Sequence, residues 1–139
     1  MIRAVESDRM DLAPLGRQVA YLWDALANNP VVQVLLGTAA EMSLPDWYLG
    51  ASGVSQTVWN LQHGFDPAAG IRDYDLAYFD AGDLSDESRR DIEDEGARRV
   101  SGSGVTVDVH NEASVHLWNG RRFGKEIEPY RSTEDAIAT

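Results

Sequence analysis

Three aspartates have the type and spacing to do chemistry together. Asp73 and Asp75 are two residues apart in a stretch with strand character, so both carboxylates project from the same face. Asp108 lies on the polar face of a later valine-rich strand. If these strands are neighbours, the three carboxylates repel one another, and a divalent cation would relieve that repulsion. Because every donor is an oxygen atom, the pattern predicts Mg²⁺ or Mn²⁺, in the arrangement used for phosphoryl transfer.

A turn of small residues supplies a second element of a possible site. Gly50, Ser52 and Gly53 stand where a short apolar stretch gives way to helical periodicity. A strand that ends in such a turn and opens a helix leaves backbone N–H groups free to bind phosphate, and the Ser52 hydroxyl adds a donor. Arg121 and Arg122 form the basic pair near the third strand, and they are either triphosphate contacts or an exposed loop pair.

The elements that must hold these residues follow from the hydrophobic periodicity. Helices are predicted over 8–29, 30–42, 54–61 and 83–100, with the start of another at 132, and strands over 46–51, 71–80 and 105–111. Ser85 is the expected N-cap of the charged helix. Alternating strands and helices indicate an α/β (α+β) fold, in which flanking helices pack on a mostly parallel or mixed sheet.

Burial of the acidic pair is the unusual part of this prediction. Its face of the strand continues with Ala77 and Phe79, which have the character of core residues, and its position at the strand start suggests a sheet edge. Buried carboxylates are costly unless they are paired or bound to a metal. His110 shares a predicted face with Asp108 and is either a site residue or a hydrogen-bonded neighbour. The tryptophans at 47, 59 and 118 are expected in the core.

Composition narrows the possible functions. The chain has 139 residues, which suits one domain, and it lacks cysteine, so thiol catalysis and Cys-type zinc sites are excluded. Its net charge of −11 makes it a poor candidate for general nucleic-acid binding and for binding to anionic membrane surfaces. With neither a signal peptide nor a transmembrane run in the sequence, we expect a cytoplasmic protein.

The motifs together resemble a known family. The segments LGASGVSQTVWNLQHG, IRDYDLAYFDAGDLS, VDVHNEASVHLW and FGKEIEPYRSTEDAIA are similar to a bacterial nucleotidyltransferase-like family, long catalogued as a domain of unknown function. That family is assigned to the DNA polymerase beta-type nucleotidyltransferase superfamily. The resemblance covers roughly residues 15–139, and it implies a single nucleotidyltransferase-like domain. Relatives usually extend beyond the segment that ends at Thr139, so we expect either a shortened chain or a protein that lacks that C-terminal region.

The resemblance also implies a role for each matched residue. Ser52 and Gly53 match the small turn that holds phosphate. Asp73 and Asp75 match the pair that binds the metal carrying the triphosphate. Asp108 matches the acid that helps to bind a second metal and activates the attacking hydroxyl.

Transfer of a nucleoside monophosphate from an NTP to a hydroxyl acceptor is the activity that this resemblance favours. A non-catalytic nucleotide-binding or degenerate module is the alternative, because Ser55 and Ser114 occupy positions near which relatives often carry arginine. A sugar transferase using the same acidic pair is a third possibility, although the chain is short for one.

Overall fold

A computed structural model describes residues 13–138, and these residues form a three-stranded sheet with helices packed on it. The elements in chain order are α1 (Leu15–Ala27), α2 (Pro30–Glu41), β1 (Tyr48–Gly50), α3 (Ala51–Gln62), β2 (Asp73–Tyr78), α4 (Asp86–Arg99), β3 (Thr106–Asn111), a 3₁₀ turn (Glu112–Ser114), α5 (Val115–Phe123) and α6 (Thr133–Ile137). No helix within residues 13–138 is both long and apolar enough to cross a bilayer.

The sheet is mixed, as the sequence predicted. Its order is β1-β2-β3, with β1 antiparallel to β2 and β2 parallel to β3. Parallel neighbours require a crossover, which α4 provides. The acidic pair lies at the start of β2, as expected, but β2 is the central strand, so the pair does not lie on an edge strand.

The two faces of β2 are the reverse of the sequence expectation. Tyr74, Leu76 and Tyr78 are buried on the face that the helices cover. Ala77 and Phe79, expected in the core, are only half-buried. The physical reason is that α3 packs on β2 and α4 packs on β3, so one face is covered and the other stays open. The acidic residues therefore lie on the open face, where hydration lowers the cost of their charge.

A buried polar network fixes α3 against β2. The amide of Asn29 donates to the Thr57 hydroxyl at 2.9 Å and to the Tyr74 hydroxyl at 3.0 Å, and all three residues are fully buried. The Thr57 hydroxyl in turn donates to the Gly53 carbonyl at 2.7 Å. Gly53 lies directly against the Tyr74 ring: a Cβ atom there would come within 2.6 Å of the ring. Only glycine allows the helix and the strand to approach so closely.

Local signals set the helix ends. Asn29 caps α2 by accepting from the Val31 and Val32 N–H groups, and Pro30 occupies the first helical turn. Ser85 caps α4 as predicted, and Ser132 caps α6 in the same way. The predicted first helix includes 8–12, which lie outside the described residues; the helix seen begins at Leu15.

Two predictions about the helices need correction. α3 begins at Ala51 rather than at residue 54, so it follows β1 without a break. Trp59, expected in the core, is 46% exposed and stacks on His63 with ring centroids 4.3 Å apart. It lies on the outer side of α3, which its hydrophobicity alone did not reveal.

The C-terminal helix is anchored beside β1. Thr133 is fully buried and donates its N–H to an Asp46 carboxylate oxygen at 3.1 Å and its hydroxyl to the Asp46 carbonyl. The Tyr48 hydroxyl donates to the Glu134 carboxylate. These bonds join α6 to the segment that leads into the sheet.

Gly53→Ala tests the contact between α3 and β2. Overpacking against a buried ring costs about 1–3 kcal/mol, against which the better helix propensity of alanine returns about 0.5–1 kcal/mol. We expect a net loss of stability in urea unfolding. Gly50→Ala is the matched control, because no atom lies within 4 Å of a Cβ placed there, and its stability should change by less than about 0.5 kcal/mol. Equal stability of the two variants would contradict the close-packing argument.

Candidate functional site

One row of residues crosses the open face of the sheet. The register pairs Gly50 of β1 with Asp75 of β2, and Asp75 with Asp108 of β3. Neighbouring strands are about 4.8 Å apart, so the two carboxylates are adjacent on one surface. Asp73 lies on the same face, two residues before Asp75 at the start of β2. It is exposed there and pairs with Thr106 of β3.

The N-terminus of α3 ends this row on the β1 side. Gly50 is its N-cap, and no side chain caps the helix. The N–H groups of Ala51, Ser52 and Gly53 belong to the first helical turn, which has no intrahelical acceptors. The positive end of a 12-residue helix therefore adjoins the acidic row. Ser52 is exposed there, whereas Gly53 is buried against Tyr74, so packing is the contribution of Gly53 that this structure explains.

Electrostatic strain concentrates on Asp75. Burial is the main cause that raises the pKa of this carboxyl above its usual 3.8, and the charges of Asp108 and Asp73 raise the pKa further. His110 opposes these effects, because its Nε2 lies 3.7 Å from an Asp75 carboxylate oxygen. His110 is therefore a neighbour of Asp75, one of the two roles that the sequence left open. The three carboxyl groups of the row still outnumber this one basic group.

The donors suit a magnesium-type ion, although they form no complete cage. Within residues 13–138, no three acidic or histidine side chains gather closely enough to hold a metal by themselves. Mg²⁺ in phosphoryl-transfer sites is commonly held by one or two carboxylates, substrate phosphates and water, so a complete protein cage is not required. The carboxylate oxygens of Asp73, Asp75 and Asp108, on a face with unrelieved negative charge, fit that pattern.

A cleft of about 360 Å³ opens beside Asp108 along the outer edge of β3. α4 contributes Arg89 and Glu93, and α5 contributes Trp118 and Arg122. Of the predicted basic pair, only Arg122 is in this cleft. Arg121 lines a separate depression with Gly120, Gly124 and Glu126.

The free edge of β3 is closed by an ion pair. Glu93 accepts from the Val109 N–H at 3.1 Å, and Arg89 donates to the Val109 carbonyl at 3.4 Å and to Glu93 at 2.9 Å. The pair replaces the missing neighbouring strand. The sequence marks these two residues only as members of the charged helix, since their i,i+4 spacing carries no sign of a role in lining a cleft.

Other polar residues near the row are structural. The Asn111 side chain donates to the Asp80 and Asp83 carbonyls and accepts from the N–H groups of Asp80 and Ala113, so it shapes the loop after β2. The Ser114 hydroxyl lines the cleft and donates to the Asn111 carbonyl at 2.9 Å. Trp118, expected in the core, is half-buried and forms a wall of the cleft.

Comparison with known proteins assigns the chain to a family. A family model described as "Nucleotidyltransferase" matches residues 37–139, which is most of the chain and includes every predicted site residue. The chain belongs to this nucleotidyltransferase family. No curated protein matches the chain.

The fold has a counterpart among solved structures. An NMR structure described as revealing a CCA-adding enzyme head domain superposes with a TM-score of 0.63 at 22% identity. The match covers 84% of this chain and 57% of that chain, so this chain spans little more than half of that protein's length. The mixed α+β architecture expected from the sequence is therefore that of a nucleotidyltransferase head domain.

Asp75→Asn tests the charge on the open face. A carboxyl group whose pKa is higher in the folded than in the unfolded protein lowers the stability of the folded state as the pH rises from the unfolded-state pKa through the folded-state pKa. The neutral variant should therefore melt at a higher temperature than the wild type at pH 7 in chelator-treated buffer. The difference should vanish below the usual pKa of 3.8. Asp91→Asn, which removes an exposed carboxylate on α4, should give no such gain. A lower melting temperature for Asp75→Asn at pH 7 would contradict this assignment.

Proposed function

We propose that this nucleotidyltransferase-family chain transfers a nucleoside monophosphate from an NTP to a hydroxyl acceptor, with a divalent metal held by Asp73, Asp75 and Asp108. The observation that carries the proposal is the register that aligns Gly50, Asp75 and Asp108 across one open face. This row joins the positive end of α3, suited to phosphate, to carboxylates suited to Mg²⁺ or Mn²⁺. Family membership supports the reaction class.

The proposed transfer is a single displacement at the α-phosphorus and needs no covalent enzyme intermediate. The acceptor oxygen forms a bond to the α-phosphorus, the bond from that phosphorus to the bridging oxygen of the leaving group breaks, and pyrophosphate departs. The acceptor proton passes to the carboxylate of Asp108 or to water. A bound divalent metal would neutralise phosphate charge and lower the barrier to deprotonating the acceptor.

Each part of the row contributes positioning or charge. The uncapped N–H groups of the first turn of α3, with the Ser52 hydroxyl, receive the non-bridging phosphate oxygens. Asp73 and Asp75 would hold the metal on the triphosphate side. Asp108, on the next strand, faces the acceptor. His110, whose Nε2 lies 3.7 Å from an Asp75 carboxylate oxygen, partly opposes the rise in the pKa of that carboxyl. Catalysis then comes chiefly from alignment and electrostatics, as is usual for phosphoryl transfer.

Removal of Asp108 tests the activity. Isothermal titration of MgATP, MnATP and the CTP equivalents should detect metal-dependent binding by the wild type. Pyrophosphate release in the presence of hydroxyl compounds should fall at least about 100-fold in Asp108→Asn, because metal-assisted charge stabilisation is worth several kcal/mol. Asp91→Asn should match the wild type.

The alternative function makes a different prediction for the same experiment. A non-catalytic module, favoured by serine at 55 and 114, would bind the nucleotide and release no pyrophosphate. Absence of metal-dependent nucleotide binding by the wild type would contradict both readings of the site.

Gly50→Ala tests the phosphate turn separately from the carboxylates. The backbone of Gly50 is extended, with φ −131°, and a Cβ meets no atom, so the fold should be retained. A methyl group at the mouth of the turn should nevertheless obstruct close approach of a phosphate to the helix N-terminus. We expect weaker MgATP binding with an unchanged melting temperature. Unchanged nucleotide affinity in a folded Gly50→Ala variant would show that the triphosphate binds elsewhere.

A further inference from the structure

The cleft beside β3 lies on the side of the acidic row away from the phosphate turn. The sheet order puts the turn after β1 at one side of Asp75, and Asp108 with the cleft at the other. A nucleotide bound at the turn would leave this cleft free, and Asp108 lines it. On the proposed function, therefore, the cleft is where the acceptor has to bind.

Most charges that line the cleft are already used by the protein. Arg89 pairs with Glu93 at 2.9 Å and with Asp86 at 3.6 Å, and both Arg89 and Glu93 bond to the Val109 backbone. This pair serves the strand edge and offers little to a ligand. Among the described residues, no such hydrogen bond or ion pair engages the other two charged groups in the cleft, Asp108 and Arg122.

Arg122 has aromatic neighbours in place of a carboxylate. Its guanidinium carbon lies 5.9 Å from the centroid of the Trp118 ring and 5.4 Å from that of Phe123. No carboxylate in residues 13–138 forms an ion pair with it. A ring face holds a guanidinium through its charge and leaves the in-plane N–H donors available. Those donors match two oxygens of a phosphate or a carboxylate.

We propose that the acceptor is a small hydroxyl compound with a phosphate or carboxylate group, and that Arg122 binds this anionic group while the hydroxyl faces Asp108. This inference rests on the proposed function. The cleft volume, about 360 Å³, is within the range of small-molecule sites. Among the described residues that line the cleft, Arg122 is the one arginine without a carboxylate partner, and in a chain of net charge −11 this suits one anionic group and disfavours a polyanion such as nucleic acid.

Glycerol 3-phosphate, glycerate and glycerol are suitable probes, because they share a hydroxyl scaffold and differ in the anionic group. Binding to the full chain is measured by isothermal titration without nucleotide. We expect glycerol 3-phosphate or glycerate to bind the wild type saturably, and glycerol not to bind. Arg122→Gln should weaken that binding about 10- to 100-fold, the value of a charge-assisted hydrogen bond. Comparison of the two anions shows whether phosphate or carboxylate is preferred.

A matched variant and a second ligand make the test decisive. Arg90→Gln removes the same charge from an exposed position on α4 that does not line the cleft, and it should bind like the wild type. Arg122→Gln should keep the wild-type melting temperature and its affinity for MgATP. Three outcomes would overturn the proposal: no binding of either anion by the wild type, equal binding by both variants, or loss of MgATP affinity in Arg122→Gln, which would assign Arg122 to the triphosphate.

Failure of the nucleotidyl-transfer proposal is recognised separately. A wild type that binds no MgATP but binds glycerol 3-phosphate through Arg122 would retain the anion site and reject nucleotidyl transfer. A wild type that binds MgATP but neither anion would reject the acceptor class alone.

Discussion

The contact between Gly53 and the Tyr74 ring is the constraint on which the rest of this structure depends. It brings the first turn of α3 as close to β2 as a backbone can come, and the bonds from Asn29 to Thr57 and Tyr74 lock that approach inside the core. Because Tyr74 separates Asp73 from Asp75 along the strand, its inward ring directs both carboxylates outward. The positive helix end and the acidic pair are therefore positioned by one packing event.

The carboxyl groups lie together on the open face of the sheet, outside the hydrophobic core. Helices cover the tyrosine face of β2, so desolvation of the carboxylates is partial and falls mainly on Asp75. A fully buried arrangement would suppress ionisation, and a fully exposed one would be screened by water and salt. Partial burial beside like-charged neighbours keeps three carboxyl groups on one open face, and on the proposed function these groups would bind a metal together with a phosphate ligand.

The edge of β3 shows how a structural need can shape a site. An unpaired strand edge invites association with other chains, and the Arg89–Glu93 pair satisfies its backbone at Val109. The same pair forms one wall of the cleft and is electrically neutral toward a ligand. Arg122, which also lines the cleft, is held over aromatic rings and keeps its N–H donors available. Arg89 thus protects the strand edge, and on our proposal a different arginine, Arg122, binds the ligand.

Several conspicuous residues of the matched blocks are structural. Thr57 belongs to the buried network, and Asn60 donates to the Pro67 and Ala69 carbonyls, which holds the long loop before β2. Tyr74 and Tyr78 fill the core. These residues explain why the region around a D-x-D pair is so distinctive: the pair needs a specific packing partner, a specific helix and an ordered loop to be presented on an open face.

The sequence by itself determined the three strands and most of the helices, because those depend on local periodicity and capping, although it did not predict α5. Pro30 with Asn29, Ser85 and Ser132 mark helix starts that the structure has. Period-two alternation put Asp108 and His110 opposite the buried valines of β3, and the resemblance anticipated the family and the fold. Only the tertiary structure decided which face of β2 is buried, because that depends on where α3 and α4 pack. It likewise separated Arg122 from Arg121 and exposed Trp59, since adjacent helical positions point about 100° apart and hydrophobicity does not say which side another element will cover.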